Sequence, residues 1–330
     1  MIGNTAPNSG RPTAVYLDTA SADAHDGPAL LEAAGFACRT AIARTPEEVI
    51  AAADGATALL IGDSPVTAEV LERLPDVRIV STVTVGVDHI DVAEATRRGV
   101  AVAHVPDAVT EEVAVSALAM ALGLLRHVNV LDRHVREGGW DPFATGPRRR
   151  VSTCTLGIVG YGRIGRRLAE LAAPLFGRVV ACDPVADVSA PAEAADLATL
   201  LAESDVVSLH APARRGQPPL IDAAAIATMR PGSFLVNVAR GDLVDTAAVL
   251  AALDAGHLGG AALDVLAGEP PAPDAPERRH PRAVVTPHAA FWSVDAEAEA
   301  YRHQARNVIE WHTNGRPLTP VAPRPAEDPA

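Results

Sequence analysis

Between Ala14 and Val105, short aliphatic and β-branched runs alternate with segments whose apolar positions recur at helical spacing. The runs Ala14–Leu17, Phe36–Ile42, Thr57–Ile61, Val77–Val83 and Val100–Ala103 predict strands. Pro28–Ala34, Pro46–Ala53, Thr67–Leu74 and Val92–Arg98 predict the helices between them. From Thr110 to about Val135 the pattern reads as one long helix, with Thr110, Glu111 and Glu112 placing a cap and acid at its positive end. A second alternating block predicts strands at Thr155–Val159, Arg178–Cys182, Val206–Leu209, Phe234–Val238, Gly260–Leu263 and Ala283–Val285. Val294 to about His312 predicts a last amphipathic helix. Such alternation implies an α/β protein with parallel sheets covered on both faces.

Composition narrows the chemistry. The 330 residues carry 28 basic and 41 acidic side chains, a net charge of −13, which argues against a nucleic-acid or anionic-membrane partner. Every basic residue among the 28 is arginine. Lysine Schiff-base chemistry and a lysine-bearing phosphate loop are therefore excluded. The longest apolar run, Ala114–Leu125, is shorter than the roughly 18 residues a membrane span needs. Met1–Pro7 has neither a basic nor an apolar signal region, and the three cysteines show no metal spacing. A cytoplasmic setting is expected. Arg148–Arg150 reads as a solvated loop, and the first dozen residues as disordered.

The most specific local signal lies after Thr155–Val159. There Gly160-Tyr161-Gly162-Arg163-Ile164-Gly165 joins an apolar strand to a helix, the context of a dinucleotide-binding turn. Gly160 serves the tight turn, Gly162 the approach of a pyrophosphate, and Gly165 the packing of helix on strand. The next strand ends at Asp183, 183 − 165 = 18 residues on, where a carboxylate can accept both ribose hydroxyls and repel a 2′-phosphate. NAD is the expected cofactor, with no metal.

Three later strands each end in a residue of chemical interest. Arg240 follows Val236–Ala239, Glu269 follows Ala261–Val265, and His288 follows Ala283–Thr286. If these strands are parallel neighbours, a guanidinium, a carboxylate and an imidazole meet on one rim. Arg240 suits a substrate carboxylate and ketone, and His288 suits proton transfer, with Glu269 tuning and orienting it.

Taken in order, Ser81–Asp91, the GYGRIG turn, Leu209–Pro212, Met229–Gly232, NVARG, ALDV, GEP and TPH resemble the D-isomer-specific 2-hydroxyacid dehydrogenases over roughly Val77–Asn314. His288–Ser293 is similar to the C-terminal-binding-protein branch, and the glyoxylate–hydroxypyruvate reductases are also close in pattern. The resemblance implies a Rossmann NAD-binding domain (106–292) inserted into a flavodoxin-like substrate domain (1–105, completed by the helix and tail of 293–330). It implies NAD-dependent interconversion of a small 2-keto acid and its D-2-hydroxy acid, in a homodimer built partly on the long helix. It assigns catalysis to Arg240, Glu269 and His288, and the substrate carboxylate to the amides of Val85 and Gly86. Thr110, Arg163, Ile164, Asp183, His210, Pro212 and Ala239 would line the cofactor, and Asp264 would meet the nicotinamide carboxamide.

Phe291 or Trp292 is read as one wall for an apolar substrate side chain; the competing reading packs Trp292 onto the last helix. Where the family commonly shows Pro-Leu-Thr, this chain has Pro212-Ala213-Arg214, so that either one cofactor contact is weakened or Arg214 replaces the threonine, and the basic pair Arg214-Arg215 leaves strict NAD preference open. Val115 replaces a residue often acidic in relatives. Two other functions remain open: formate or phosphite oxidation on the same fold, against which Glu269 argues, and an NAD(H)-sensing regulatory role.

Overall fold

The computed structural model describes residues 10–17, 26–213 and 216–322. Arg214, Arg215, most of the first dozen residues and the end of the tail lie outside them. By internal contacts the chain divides into one unit of residues 1–109 with 293–330 and another of residues 110–292. The first crossing thus follows Val109, where the sequence reading placed it after Val105.

The first unit is a five-stranded parallel sheet of β1 (Thr13–Leu17), β2 (Ala37–Ala41), β3 (Ala58–Ile61), β4 (Ile79–Thr82) and β5 (Ala101–Ala103). Their spatial order is β2-β1-β3-β4-β5, the flavodoxin-like arrangement. β3 and β4 are buried along their whole length, which is why they read as unbroken apolar runs rather than alternating ones. Helices α1 (Gly27–Ala33), α2 (Pro46–Ala52), α3 (Ala68–Arg73) and α4 (Val92–Arg97) join them. α2 starts at a full capping box, Thr45 with Glu48.

The helix near the chain's end, Val294–Asn314, belongs to this unit through polar contacts as well as apolar ones. Gln304 is buried and donates to the carbonyls of Ile61 and Ser81, both at 2.8 Å. Pro320 then bridges Ala103 antiparallel, covering the β5 edge.

The second unit opens with α5 (Thr110–Leu125) and α6 (Val128–Arg136). They correct the expected single helix: the axis bends by 62° at Arg126–His127, where His127 is left-handed with φ 55°. No Gly or Pro marks this break. The His127 ring instead stands edge-on to Phe234 at 5.8 Å, a tertiary contact that favours the bend. No single helix among the described residues is long and apolar enough to cross a membrane.

The sheet of this unit contains β6 (Thr155–Val159), β7 (Arg178–Cys182), β8 (Glu193–Ala194), β9 (Val206–Leu209), β10 (Ser233–Asn237), β11 (Leu258–Leu263) and β12 (Ala283–Val285), with helices α7 (Arg163–Ala172), α8 (Leu197–Glu203), α9 (Ala223–Thr228) and α10 (Thr246–Asp254) between them. The order β12-β11-β10-β9-β6-β7-β8 is the Rossmann order with one added strand. The molecule is therefore a Rossmann domain inserted into a flavodoxin-like one, with Val294–Asn314 as α11. The two-residue β8 escaped the sequence reading because Glu193 and Ala194 are both exposed.

Arg149 departs from the solvated-loop reading. It is paired with Asp205, which is buried and also accepts from the Thr155 amide at 2.8 Å. A buried carboxylate needs such partners, so the loop is tied to the base of the sheet.

Candidate active site

Register fixes the site. Val159 pairs with Leu209, Leu209 with Asn237, Asn237 with Leu263 and Leu263 with Val285, so five strand ends lie in one line across the sheet. The residues that follow them (Gly160, His210, Val238–Arg240, Asp264 and Thr286–His288) share the carboxyl rim, where open α/β sheets bind ligands.

On the β6 side, Gly160 is left-handed at φ 96°, and a Cβ there would stand 2.6 Å from the His210 carbonyl oxygen. A Cβ at Gly165 would overlap the Gly160 carbonyl oxygen, so this glycine sets the packing of α7 on β6. Gly162 differs, because a Cβ there would meet only open space. It is the N-cap of the ten-residue α7, which has no side-chain cap and no acid in its first turn. The helix N-terminus is left for an anion such as a pyrophosphate. Arg163 is exposed there and Ile164 half-buried, while Tyr161 is buried with its hydroxyl on the Ser189 carbonyl at 2.7 Å.

Asp183 follows β7 as expected, but its carboxylate is already busy. It accepts from the amides of Tyr161 (2.7 Å), Val185 (2.8 Å) and Ala186 (2.8 Å). Burial works against its ionisation, yet these amides and nearby Arg166 outweigh that and hold it below the usual carboxylate range. A carboxylate offers about four acceptor positions, so capacity remains for a ribose hydroxyl. The charge that disfavours a 2′-phosphate is retained.

His210 accepts or donates through Nε2 to Ser208 Oγ at 2.8 Å. It is half-buried, and burial pushes its imidazole down to about 4, so the ring is neutral at pH 7. Pro212 is exposed and Ala239 half-buried. Thr110 Oγ1 is buried with no hydrogen-bond partner among the described residues. An orphaned hydroxyl, an uncapped helix N-terminus and open space over Gly162 fit a dinucleotide.

On the β10–β12 side, buried Asn237 donates to the Arg240 carbonyl at 2.8 Å and accepts from the Ala239 amide at 3.1 Å, fixing the Arg240 loop. Arg240 Nη1 donates to the Ala239 carbonyl at 2.7 Å. A Cβ at Gly241 would overlap the Leu266–Ala267 peptide, so the loop after β10 lies directly on the loop carrying Glu269. Glu269 Oε1 accepts from the Leu266 amide at 2.7 Å, and Oε2 meets His288 Nδ1 at 2.8 Å. His288 is left-handed at φ 52°, an uncommon conformation for a side-chain-bearing residue.

Asp264 also has a structural role. It is buried, and its carboxylate accepts from Thr286 Oγ1 (2.5 Å), Ala289 N (2.9 Å) and Ala290 N (3.0 Å). These bonds hold the turn that carries His288. Phe291 stands edge-on to the His288 ring at 6.2 Å, and Phe291 and Trp292 are 45% and 58% exposed. Val115 is exposed as well.

In the first unit, Val85 and Gly86 lie in the loop after β4. Among the described residues their N–H groups donate to no protein acceptor. Asn237, Thr286 and Ser208 were missed as site residues, although each sits within two positions of a residue that was singled out.

A Rossmann sheet with a dinucleotide turn, and on its carboxyl rim an Arg and a Glu–His pair whose histidine is left-handed, define an NAD-dependent oxidoreductase. The comparisons agree. The family model "D-isomer specific 2-hydroxyacid dehydrogenase, NAD binding domain" matches residues 118–290. A glyoxylate reductase from Thermofilum pendens is 36% identical over 254 residues, covering 74% of each chain. A D-3-phosphoglycerate dehydrogenase from Mycobacterium tuberculosis is 37% identical over 270 residues, 79% of this chain, which spans only 50% of that protein's length. The crystal structure of the TT0316 protein from Thermus thermophilus superposes with a TM-score of 0.86 at 31% identity, covering 94% of this chain and 100% of that one. The chain belongs to the D-isomer specific 2-hydroxyacid dehydrogenase family. It is an NAD-dependent enzyme interconverting 2-keto and 2-hydroxy acids.

Proposed function

We propose that Arg240, His288 and Glu269 carry out the reduction of a short 2-keto acid to its D-2-hydroxy acid. The observation behind this assignment is the 2.8 Å bond between His288 Nδ1 and Glu269, on the same rim as Arg240 and the dinucleotide turn. The planar fork of Arg240 matches a carboxylate and draws electron density from the adjoining carbonyl. Glu269 is itself held by the Leu266 amide, so it orients the imidazole. His288 Nε2 then delivers a proton to the oxygen of the reduced carbonyl, and withdraws it in the reverse reaction. When bound, the dihydronicotinamide supplies the hydride that reduces the carbonyl carbon.

The amides of Val85 and Gly86 are assigned to the substrate carboxylate, and Phe291 to the substrate side chain, with Trp292 beside it. Thr110, Arg163, Ile164, Pro212 and Ala239 are assigned to the cofactor with Asp183 and His210. A homodimer is part of the same reading: no residue of α6 is buried, and Trp140 and Phe143 beyond it are 88% and 80% exposed, an apolar surface that a second copy would cover. The net charge of −13 and the three free cysteines support a cytoplasmic enzyme without nucleic-acid partners.

The test is NADH oxidation with glyoxylate, hydroxypyruvate, pyruvate, 2-ketoisocaproate and phenylpyruvate. Arg240→Ala and His288→Ala are expected to lose at least a hundredfold in kcat/KM while binding NADH normally. Turnover of these substrates by His288→Ala at the wild-type rate would refute the assignment.

A further inference from the structure

A loop that presents two unpartnered N–H groups to an anion must fix the planes of the peptides that carry them. The peptide unit is flat, and its carbonyl points opposite to its N–H. Whatever holds the Thr84 carbonyl therefore aims the Val85 N–H, and whatever holds the Val85 carbonyl aims the Gly86 N–H. Both holders are neighbours at the end of β5. The Val105 amide donates to the Thr84 carbonyl at 3.2 Å, and His104 Nδ1 meets the Val85 carbonyl at 2.9 Å. A carbonyl accepts only, so Nδ1 carries the proton in that contact.

His104 is itself braced from the far end of the chain. Its carbonyl accepts from Asn307 Nδ2 at 3.1 Å and from Thr319 Oγ1 at 2.5 Å, and its amide donates to the Thr319 carbonyl at 3.2 Å. Thr319 is in turn held by the Asn307 side chain at 3.0 Å and by His303 Nε2 at 3.0 Å. On the other side of the loop, Thr84 Oγ1 donates to the Gly86 carbonyl at 2.6 Å. Backbone alone would clamp the first peptide. Only a side chain clamps the second.

We infer that His104 is a positioning residue for substrate binding: its Nδ1–H holds the Val85 carbonyl so that the Gly86 N–H faces the substrate carboxylate, and the Thr319 segment keeps His104 in place. This rests on the assignment of the Val85 and Gly86 amides to that carboxylate. The donor can be supplied by a different side chain, because asparagine Nδ2 occupies nearly the place of histidine Nδ1 along the side chain.

The experiment is steady-state reduction of glyoxylate by full-length His104→Ala, His104→Asn, Thr319→Val and Gly86→Pro, with NADH affinity and unfolding temperature followed for each. His104→Ala is expected to raise the KM for glyoxylate at least tenfold with NADH affinity unchanged. His104→Asn should return KM to within about threefold of wild type, and Thr319→Val should raise it about threefold. A His104→Ala enzyme with wild-type KM overturns the inference, as does an Asn variant as impaired as the Ala variant. Gly86→Pro, which lacks the N–H, separates the two levels of the argument. If it folds and keeps a wild-type KM, the carboxylate assignment fails and takes the inference with it. If it loses substrate while His104→Ala does not, only the role of His104 is wrong.

Discussion

The His288 amide donates to the Asp264 carbonyl at 2.9 Å, so the histidine of the Glu–His pair hangs from the end of the neighbouring strand. The Asp264 side chain closes the same turn from the other direction, through Thr286, Ala289 and Ala290. Together these bonds offset the cost of a left-handed backbone at His288.

Asp264→Asn puts an amide NH2 where one of three donors now finds an oxygen. Leaving a buried donor unmatched costs about 1–3 kcal/mol. The turn should loosen and His288 should leave its place beside Glu269. A 10- to 100-fold fall in kcat for NADH oxidation is expected, together with a lower unfolding temperature. A variant with wild-type kcat would show that the turn does not depend on this carboxylate.

Glu269→Gln tests the pair from its other member. The glutamine oxygen can still accept the Leu266 amide, so the loop should hold. Its NH2, however, faces the Nδ1 proton of His288, and the negative charge beside the imidazole is gone. Reduction should slow by 10- to 100-fold with NADH affinity unaltered. Equal kcat in mutant and wild type would remove Glu269 from the reaction.

Two glycines of the dinucleotide turn should separate by function. Gly165→Ala drives a methyl into the Gly160 carbonyl oxygen, so it should lower the unfolding temperature of the free protein as well as abolish NADH binding. Gly162→Ala meets nothing in the free protein and has φ −73°, ψ −160°, which alanine adopts readily. It should melt like the wild type and yet lose the rise in unfolding temperature that bound NADH confers. A Gly162→Ala protein still stabilised by NADH would show that the pyrophosphate does not approach this position.

Much of this site was legible because its parts are local. Strand, glycines and helix of the dinucleotide turn lie within 18 residues, and Arg240, Glu269 and His288 each follow a recognisable strand. What was not legible depends on partners distant in sequence. The donors to the Asp264 carboxylate lie 22–26 residues on, so its structural role could not be read from ALDV. The bond from Thr319 to His104 spans 215 residues. The bend at His127 has no local breaker, because Phe234 supplies the contact that accompanies it. Sheet order likewise comes from packing, since alternating strands and helices fit several parallel arrangements.

The half-buried His210 gives the protein a predictable response to acid. Burial places its folded-state value at about 4, against about 6.5 for an exposed histidine. Between those values the unfolded chain binds a proton that the folded protein refuses, so stability rises with pH across the window. The contribution is fully present above about pH 6.5 and is lost as pH falls towards 4. The difference of 2.5 units corresponds to at most about 3 kcal/mol. His210→Gln cannot titrate and can keep a polar contact with Ser208. Urea unfolding of the wild type should therefore steepen in its pH dependence between pH 6.5 and 4, and the variant should lack that component. Parallel curves for the two proteins would mean that His210 accepts its proton in the folded state.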